Sequence, residues 1–397
     1  MKTAWALALP LAVAATATFA SHGFDDRMPR TSASTLITTP LVIEGLTNDD
    51  NGNLYAPGRT PGNGNACPVY RTSIDNPALQ VVGTIPAPSI TAQCSPSGLA
   101  FGPEGALYVS EGSTIWRFMP NASNPPTAAA FATGVPGTNG IAFDRRGNLW
   151  TGDGTTGQGR VWRITPQGQV SEIFRIQPAA NEVNLDAAGV GGVGRDYRTL
   201  GPGTITVTPT SRNAANTAGS QPLVANGLAF SHNGDLFIAD TARGAIWRVR
   251  FDSDGTMVSR QGCDTTFHAR TLCMENIYVA HPLLEGVDGI ALDVGGGIWG
   301  SANERNALVY VSRTGNVSDV FRNLPDATTK LRNTGPLESP ASPVVVGNRV
   351  CTSNSDGNRR DNSPNTAGEI GGLGQPRGKI VCLDQRVNVQ GVSLPIR

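Results

Sequence analysis

Neither sign of charge dominates this chain. Its 31 Lys and Arg face 31 Asp and Glu, for a formal net charge of zero, and charged residues are only 16% of the total. An average globular chain carries roughly 25%. A polyanion binder needs a basic surplus to neutralise phosphates, so the composition argues against nucleic acid as a partner. Histidine is scarce, with four residues, which leaves little for a zinc site built on imidazoles. No Cys-x-x-Cys occurs among the six cysteines, so a structural zinc or dithiol redox motif is not indicated. Past the first twenty residues, no apolar run reaches the length of a membrane-spanning helix.

The N-terminus reads as an address. Lys2 supplies one positive charge, residues 4–15 are apolar, and small residues stand at Ala15, Ala17, Thr18 and Ala20. That pattern predicts a secretory signal peptide over 1–20, followed by a leader over 21–40. Export to a secreted or periplasmic location fits the cysteines, which an oxidising compartment would pair. Six cysteines allow fifteen pairings. Local pairs are the simplest arrangement: Cys67 with Cys94, Cys263 with Cys273, and Cys351 with Cys382.

What the chain has in plenty is glycine, 48 residues, and proline, 28. Both interrupt helices and mark turns, which points to many short strands. A repeat then organises residues 41–390. Ser-Gly-Leu-Ala-Phe at 97–101, Asn-Gly-Ile-Ala-Phe at 139–143, Asn-Gly-Leu-Ala-Phe at 226–230 and Asp-Gly-Ile-Ala-Leu at 288–292 superpose. Each runs into a turn closed by Gly105, Gly147, Gly234 or Gly296, then into a second β-rich run. A third run follows, with Trp116, Trp162 and Trp247 at matching places. A looser copy begins at Glu44 and a weaker one at Ser339 or Pro340. Repeats of this size with strand-and-turn content predict an all-β, six-bladed propeller of four-stranded blades. The repeating tryptophans read as blade packing. Inserts near 181–220 and 354–377, and the segment between Cys263 and Cys273, are expected on the channel-mouth side.

In a propeller the innermost strands line the central channel, so the residue that opens each one faces a common mouth. Those residues are Glu44, Ser97, Asn139, Asn226 and Asp288, with Ser339 or Pro340 in the last blade. Asn-Gly and Asp-Gly are also ordinary turn dipeptides. Glu44 is not a turn residue, however, and carboxylates converging on one axis need a partner. Oxygen-only donors favour a hard cation, Ca²⁺ first, then Mg²⁺ or Mn²⁺. Asp293 belongs to the hairpin turn at the opposite end and has a different job. Asp153 and Asp240 close second strands and read as turn formers, and His281 as a loop residue.

The passages at 226–240 and 288–299 resemble the regucalcin/gluconolactonase family, which includes luciferin-regenerating enzymes; paraoxonases are more distantly similar. The resemblance extends over about 41–384. It implies a six-bladed propeller holding a catalytic divalent metal, usually calcium. It assigns Glu44, Asn226 and Asp288 as ligands, Asn139 as a contact to metal or substrate, and Asp288 as general base. The implied activity is hydrolysis of a lactone or related ester, a small-molecule partner. Ser97, at the same mouth, is a substrate-binding candidate. Sugar-lactone members carry an Arg just before the third-blade position, where this chain has Thr138. Two alternatives stay open: a non-catalytic secreted propeller that binds a partner, and a lyase or strictosidine-synthase-like enzyme on the same fold.

Overall fold

The computed structural model describes residues 28–49, 51–60, 64–178, 224–265, 267–325, 334–355 and 377–392. The expected signal segment, the insert at 181–220 and residues 356–376 of the later insert lie outside them. Six sheets, antiparallel except for one added outer strand, form six blades. Their inner strands are Thr47–Asn48, Pro96–Phe101, Thr138–Phe143, Ala225–Phe230, Val287–Leu292 and Pro340–Val346. Consecutive inner strands pack against one another, and the sixth packs against the first, so the ring closes. This is the six-bladed propeller that the repeat predicts.

The closure involves a strand that the sequence reading assigned to a leader. Ala33–Thr39 pairs antiparallel with Gly378–Leu383 and becomes the outermost strand of the sixth blade. The run is rich in β-branched residues, which suit a half-buried strand. Pairing the two ends of the chain also covers an edge that would otherwise be open.

A second difference concerns the sixth mouth position. In blades 2 to 5 the first inner-strand residue pairs with the end of the second strand: Pro96 with Glu111, Thr138 with Asp153, Ala225 with Asp240 and Val287 with Ala302. In blade 6 the equivalent pair is Pro340 with Asn354. The mouth residue is the next one along, so the slot belongs to Ala341, not to Ser339 or Pro340. The sixth blade therefore contributes no polar side chain there.

The glycine that follows each mouth residue is explained by packing and not by a turn. Gly45, Gly98, Gly140, Gly227 and Gly289 all lie outside the left-handed region. A Cβ on Gly98 would stand 2.3 Å from the Asn139 carbonyl oxygen, on Gly140 2.7 Å from that of Asn226, and on Gly289 2.6 Å from that of Ala341. Each glycine thus lets the next blade's backbone approach the axis, and together they form a collar around the channel. Below it the channel wall is apolar, with Leu46, Leu99, Ile141, Leu228, Ile290 and Pro343 lining a small cavity of about 100 Å³.

At the far end, hairpin carboxylates tie the turns. Asp144 accepts from the N–H groups of Arg146 and Asn148 and from the indole of Trp150. Asp49 makes the same set with Asn51, Asn53 and the Tyr55 hydroxyl. Asp293 accepts from Gly297 N–H at 2.9 Å, which is the turn role expected of it. Trp247 is fully buried, and Trp116 and Trp162 pack against the blade cores. All three disulfides form in the local pairing: Cys67–Cys94, Cys263–Cys273 and Cys351–Cys382. Cys351 and Cys382 are direct cross-strand partners in neighbouring strands of blade 6.

Candidate functional site

Each inner strand runs away from the mouth, turns, and returns along the second strand to the same level. A residue fifteen positions after each mouth residue therefore comes back beside it. One cavity of about 350 Å³ is lined by Glu44 and Arg59, Ser97 and Gly112, Asn139 and Gly154, Asn226 and Thr241, and Asp288 and Asn303. Glu111, Ser95, Thr138 and Thr155 complete the lining. All five site residues read from the sequence are thus brought to one polar pocket above the glycine collar.

The partners set the character of each mouth residue. Asn303 donates its side-chain amide to Asp288 Oδ2 at 3.1 Å. Asn226 donates to Thr241 Oγ1 at 3.0 Å, and Thr241 donates on to the Val287 carbonyl at 2.8 Å, tying blade 4 to blade 5. That leaves the Asn226 carbonyl oxygen for the pocket. Glycine at 154 is required, since a Cβ there would stand 2.4 Å from Asn139 Nδ2. Glu44 forms an ion pair with Arg59, both largely buried, and Arg59 Nε also donates to the Pro96 carbonyl at 3.3 Å. Arg59 is thus a built-in positive charge at the mouth.

Arg59, Glu111, Thr241 and Asn303 were not singled out from the sequence. The constant offset of fifteen, which follows from the regular length of the hairpin, would have found Arg59, Thr241 and Asn303. Conversely, Asp153 and Asp240 are buried turn residues outside the pocket lining. Asp153 accepts from the Thr156 N–H and hydroxyl. Asp240 pairs with Arg243 and accepts from the Trp247 indole at 2.9 Å. His281 caps a short 3-10 turn, accepting from Leu283 N–H. The Cys263–Cys273 segment lays Thr271–Leu272 beside Val170–Ile176 as an outer fifth strand of blade 3, and none of its described residues lines the pocket.

The donor set can be tested against a divalent cation. Glu44 and Asp288 supply two carboxylates, and Asn139 and Asn226 supply amide oxygens. Asn303 Oδ1 is buried with no hydrogen-bond partner among the described residues, an acceptor facing a donor-poor environment. Oxygen donors of this kind fit a hard cation. No cluster of three or more His, Cys, Asp or Glu side chains suited to a metal occurs among the described residues. A cation here would therefore lean on amide oxygens as well as on two acids, one of them shared with Arg59.

The comparisons with known proteins concern one stretch of the chain and the fold as a whole. Residues 177–331 match the SMP-30/gluconolactonase/LRE-like region. The matched stretch contains Asn226 and Asp288, and the family resemblance read from the repeat is borne out. Among solved structures, a luciferin-regenerating enzyme is similar over 91% of this chain and 97% of its own, with a TM-score of 0.56 and 12% identity. A calcium-binding protein, regucalcin, from Agrobacterium tumefaciens is similar over 91% and 96%, with a TM-score of 0.55 and 15% identity. A PQQ-bound aldose sugar dehydrogenase from Streptomyces coelicolor reaches a TM-score of 0.50 at 16% identity, over 89% and 99%. At these identities the likeness concerns the fold, and the third case shows that the fold carries other chemistry. No curated protein matches the chain.

Proposed function

We propose that this chain is a divalent-metal-dependent hydrolase of a lactone or related ester, acting at the polar mouth of the propeller. The observation that carries the reading is the convergence of Glu44, Asn139, Asn226 and Asp288 on one pocket, with two carboxylates among them. A divalent cation, Ca²⁺ by the chemistry of the donors, would be held by these four side chains and would polarise the ester carbonyl. Asp288 acts as the base that takes a proton from the attacking water, held in place by the Asn303 amide. Asn139 and Ser97 orient the substrate from blades 3 and 2. Arg59 balances Glu44 and adds positive charge where the carbonyl oxygen becomes negative. The three disulfides and the N-terminal pattern support a secreted or periplasmic protein acting on a small molecule.

The test is a panel of lactones and aryl esters, assayed with added Ca²⁺ and with a chelator. Turnover that the chelator abolishes and Ca²⁺ restores supports the reading. A chain that binds no divalent ion and cleaves none of the panel is a binding propeller instead.

A further inference from the structure

Three of the blades end their second strand on an acid at the same register position: Glu111, Asp153 and Asp240. In blades 3 and 4 that acid is consumed by the turn that follows it, through Thr156 and Arg243 respectively. Blade 2 differs. Its acid is one methylene longer, and the turn is a tight one at Gly112, which adopts a φ of 62°. Glu111 is buried, and its Oε1 accepts a long 3.5 Å contact from Ser95 N–H. Alone of these three, it lines the mouth pocket. Burial pushes its carboxyl above the ordinary carboxylate range, against the weaker pulls of the Ser95 N–H and the Trp116 indole.

In a closed ring of six, blade 2 stands across the axis from blade 5. Glu111 and Asp288 therefore face one another from opposite walls of one cavity, in unlike surroundings. Both are buried, but Asp288 accepts the Asn303 amide at 3.1 Å, while the Ser95 N–H stands 3.5 Å from Glu111. Two acids held in different environments on either side of a reacting centre is how one site divides acid from base work.

We propose that Glu111 is the general acid of this site, donating its proton to the alcohol oxygen that leaves the ester. The proposal rests on the hydrolase reading above. A water oxygen bonds to the carbonyl carbon as its proton passes to the Asp288 carboxylate. The bond from that carbon to the alcohol oxygen then breaks, and the departing oxygen takes the Glu111 proton. One water is consumed, and an acid and an alcohol form, joined as a hydroxy acid when the substrate is a lactone. Exchange with solvent returns Asp288 to the carboxylate and Glu111 to the acid.

The experiment compares the parent with Glu111→Gln on an aliphatic lactone and a 4-nitrophenyl ester. The alkoxide needs a proton to leave, whereas nitrophenolate does not. The expected result is a fall in kcat of about 10²-fold or more on the lactone, the scale of a lost acid, with little change on the nitrophenyl ester. Equal losses on both substrates, or no loss on the lactone, overturn the role while leaving the hydrolase reading standing. A parent inactive on both removes the hydrolase reading and this role with it. If the Gln variant does not fold, Glu111→Leu, which buries no polar group, is judged by the same ratio.

Discussion

Asn303 lies fifteen residues after Asp288 and donates its side-chain amide to the Asp288 carboxylate at 3.1 Å, while its own Oδ1 is buried without a hydrogen-bond partner among the described residues. The pair joins the two strands of one hairpin at the level where the channel opens. It makes Asp288 a positioned acceptor and places a further oxygen donor beside it.

The collar predicts the effect of a methyl group. A Cβ on Gly227 would meet Gly289 Cα at 2.6 Å and the Asp288 carbonyl oxygen at 2.7 Å. Gly227→Ala should destabilise by about 1–3 kcal/mol through overpacking, read as a lower thermal midpoint. A glycine retained only as a turn-former at ordinary φ would give the opposite sign, since alanine there stabilises by about 0.4–1 kcal/mol.

Arg59→Gln leaves the Glu44 carboxylate without its buried counter-charge. Loss of one partner from such a pair costs about 3–5 kcal/mol when burial is complete, and less here because both side chains keep some exposure. The thermal midpoint without metal should fall, and millimolar Ca²⁺ should recover more stability in the variant than in the parent. An equal Ca²⁺ shift in both proteins would separate Glu44 from any cation site.

The closing strand separates two views of residues 28–40. If Ala33–Thr39 is the outer strand of blade 6, a chain beginning at Leu41 exposes the Gly378–Leu383 edge. It should melt lower and associate more readily than one beginning at Met28. Equal melting of the two would return the segment to the status of a leader.

Asp153 gives a pH-dependent expectation. Burial raises its pKa, against weaker pulls from Thr156 and Arg160. Below the ordinary carboxylate pKa both folded and unfolded states are protonated and nothing is lost. As pH rises the unfolded chain ionises first, so the parent loses stability until the folded group ionises too. Asp153→Asn lacks that loss. Its thermal midpoint relative to the parent should therefore climb from acid to neutral pH, and a flat difference would contradict the assignment.

Much of this architecture is legible in the chain because a propeller is a repeat. In blades 1 to 5 the eight-residue step from the mouth residue to its turn glycine carries the strand register, and the register carries Glu44, Asn139, Asn226 and Asp288 to one pocket. The misses have physical causes. Ala341 was overlooked because Ser342 and Pro343 replace the glycine and leucine that mark the slot elsewhere. The strand Ala33–Thr39 pairs with residues more than 300 positions away, and local pattern holds no trace of such a partner. Arg59 was missed because its position is filled by Gly112, Gly154, Thr241 and Asn303 in blades 2 to 5, so no shared residue type marks it. Glu111 shares its position with two structural acids, and only the three-dimensional turn distinguishes it.

The central claim is that the acid at the channel mouth, and not the one in the hairpin turn of the same blade, runs the chemistry. The direct measurement is Ca²⁺ binding by calorimetry, with lactone turnover, on the parent, Asp288→Asn and Asp293→Asn. The account predicts that Asp288→Asn stays folded, binds Ca²⁺ more weakly and loses about 10²-fold or more in turnover, while Asp293→Asn keeps both functions. An Asp288→Asn protein that binds Ca²⁺ and turns over lactone like the parent would contradict it.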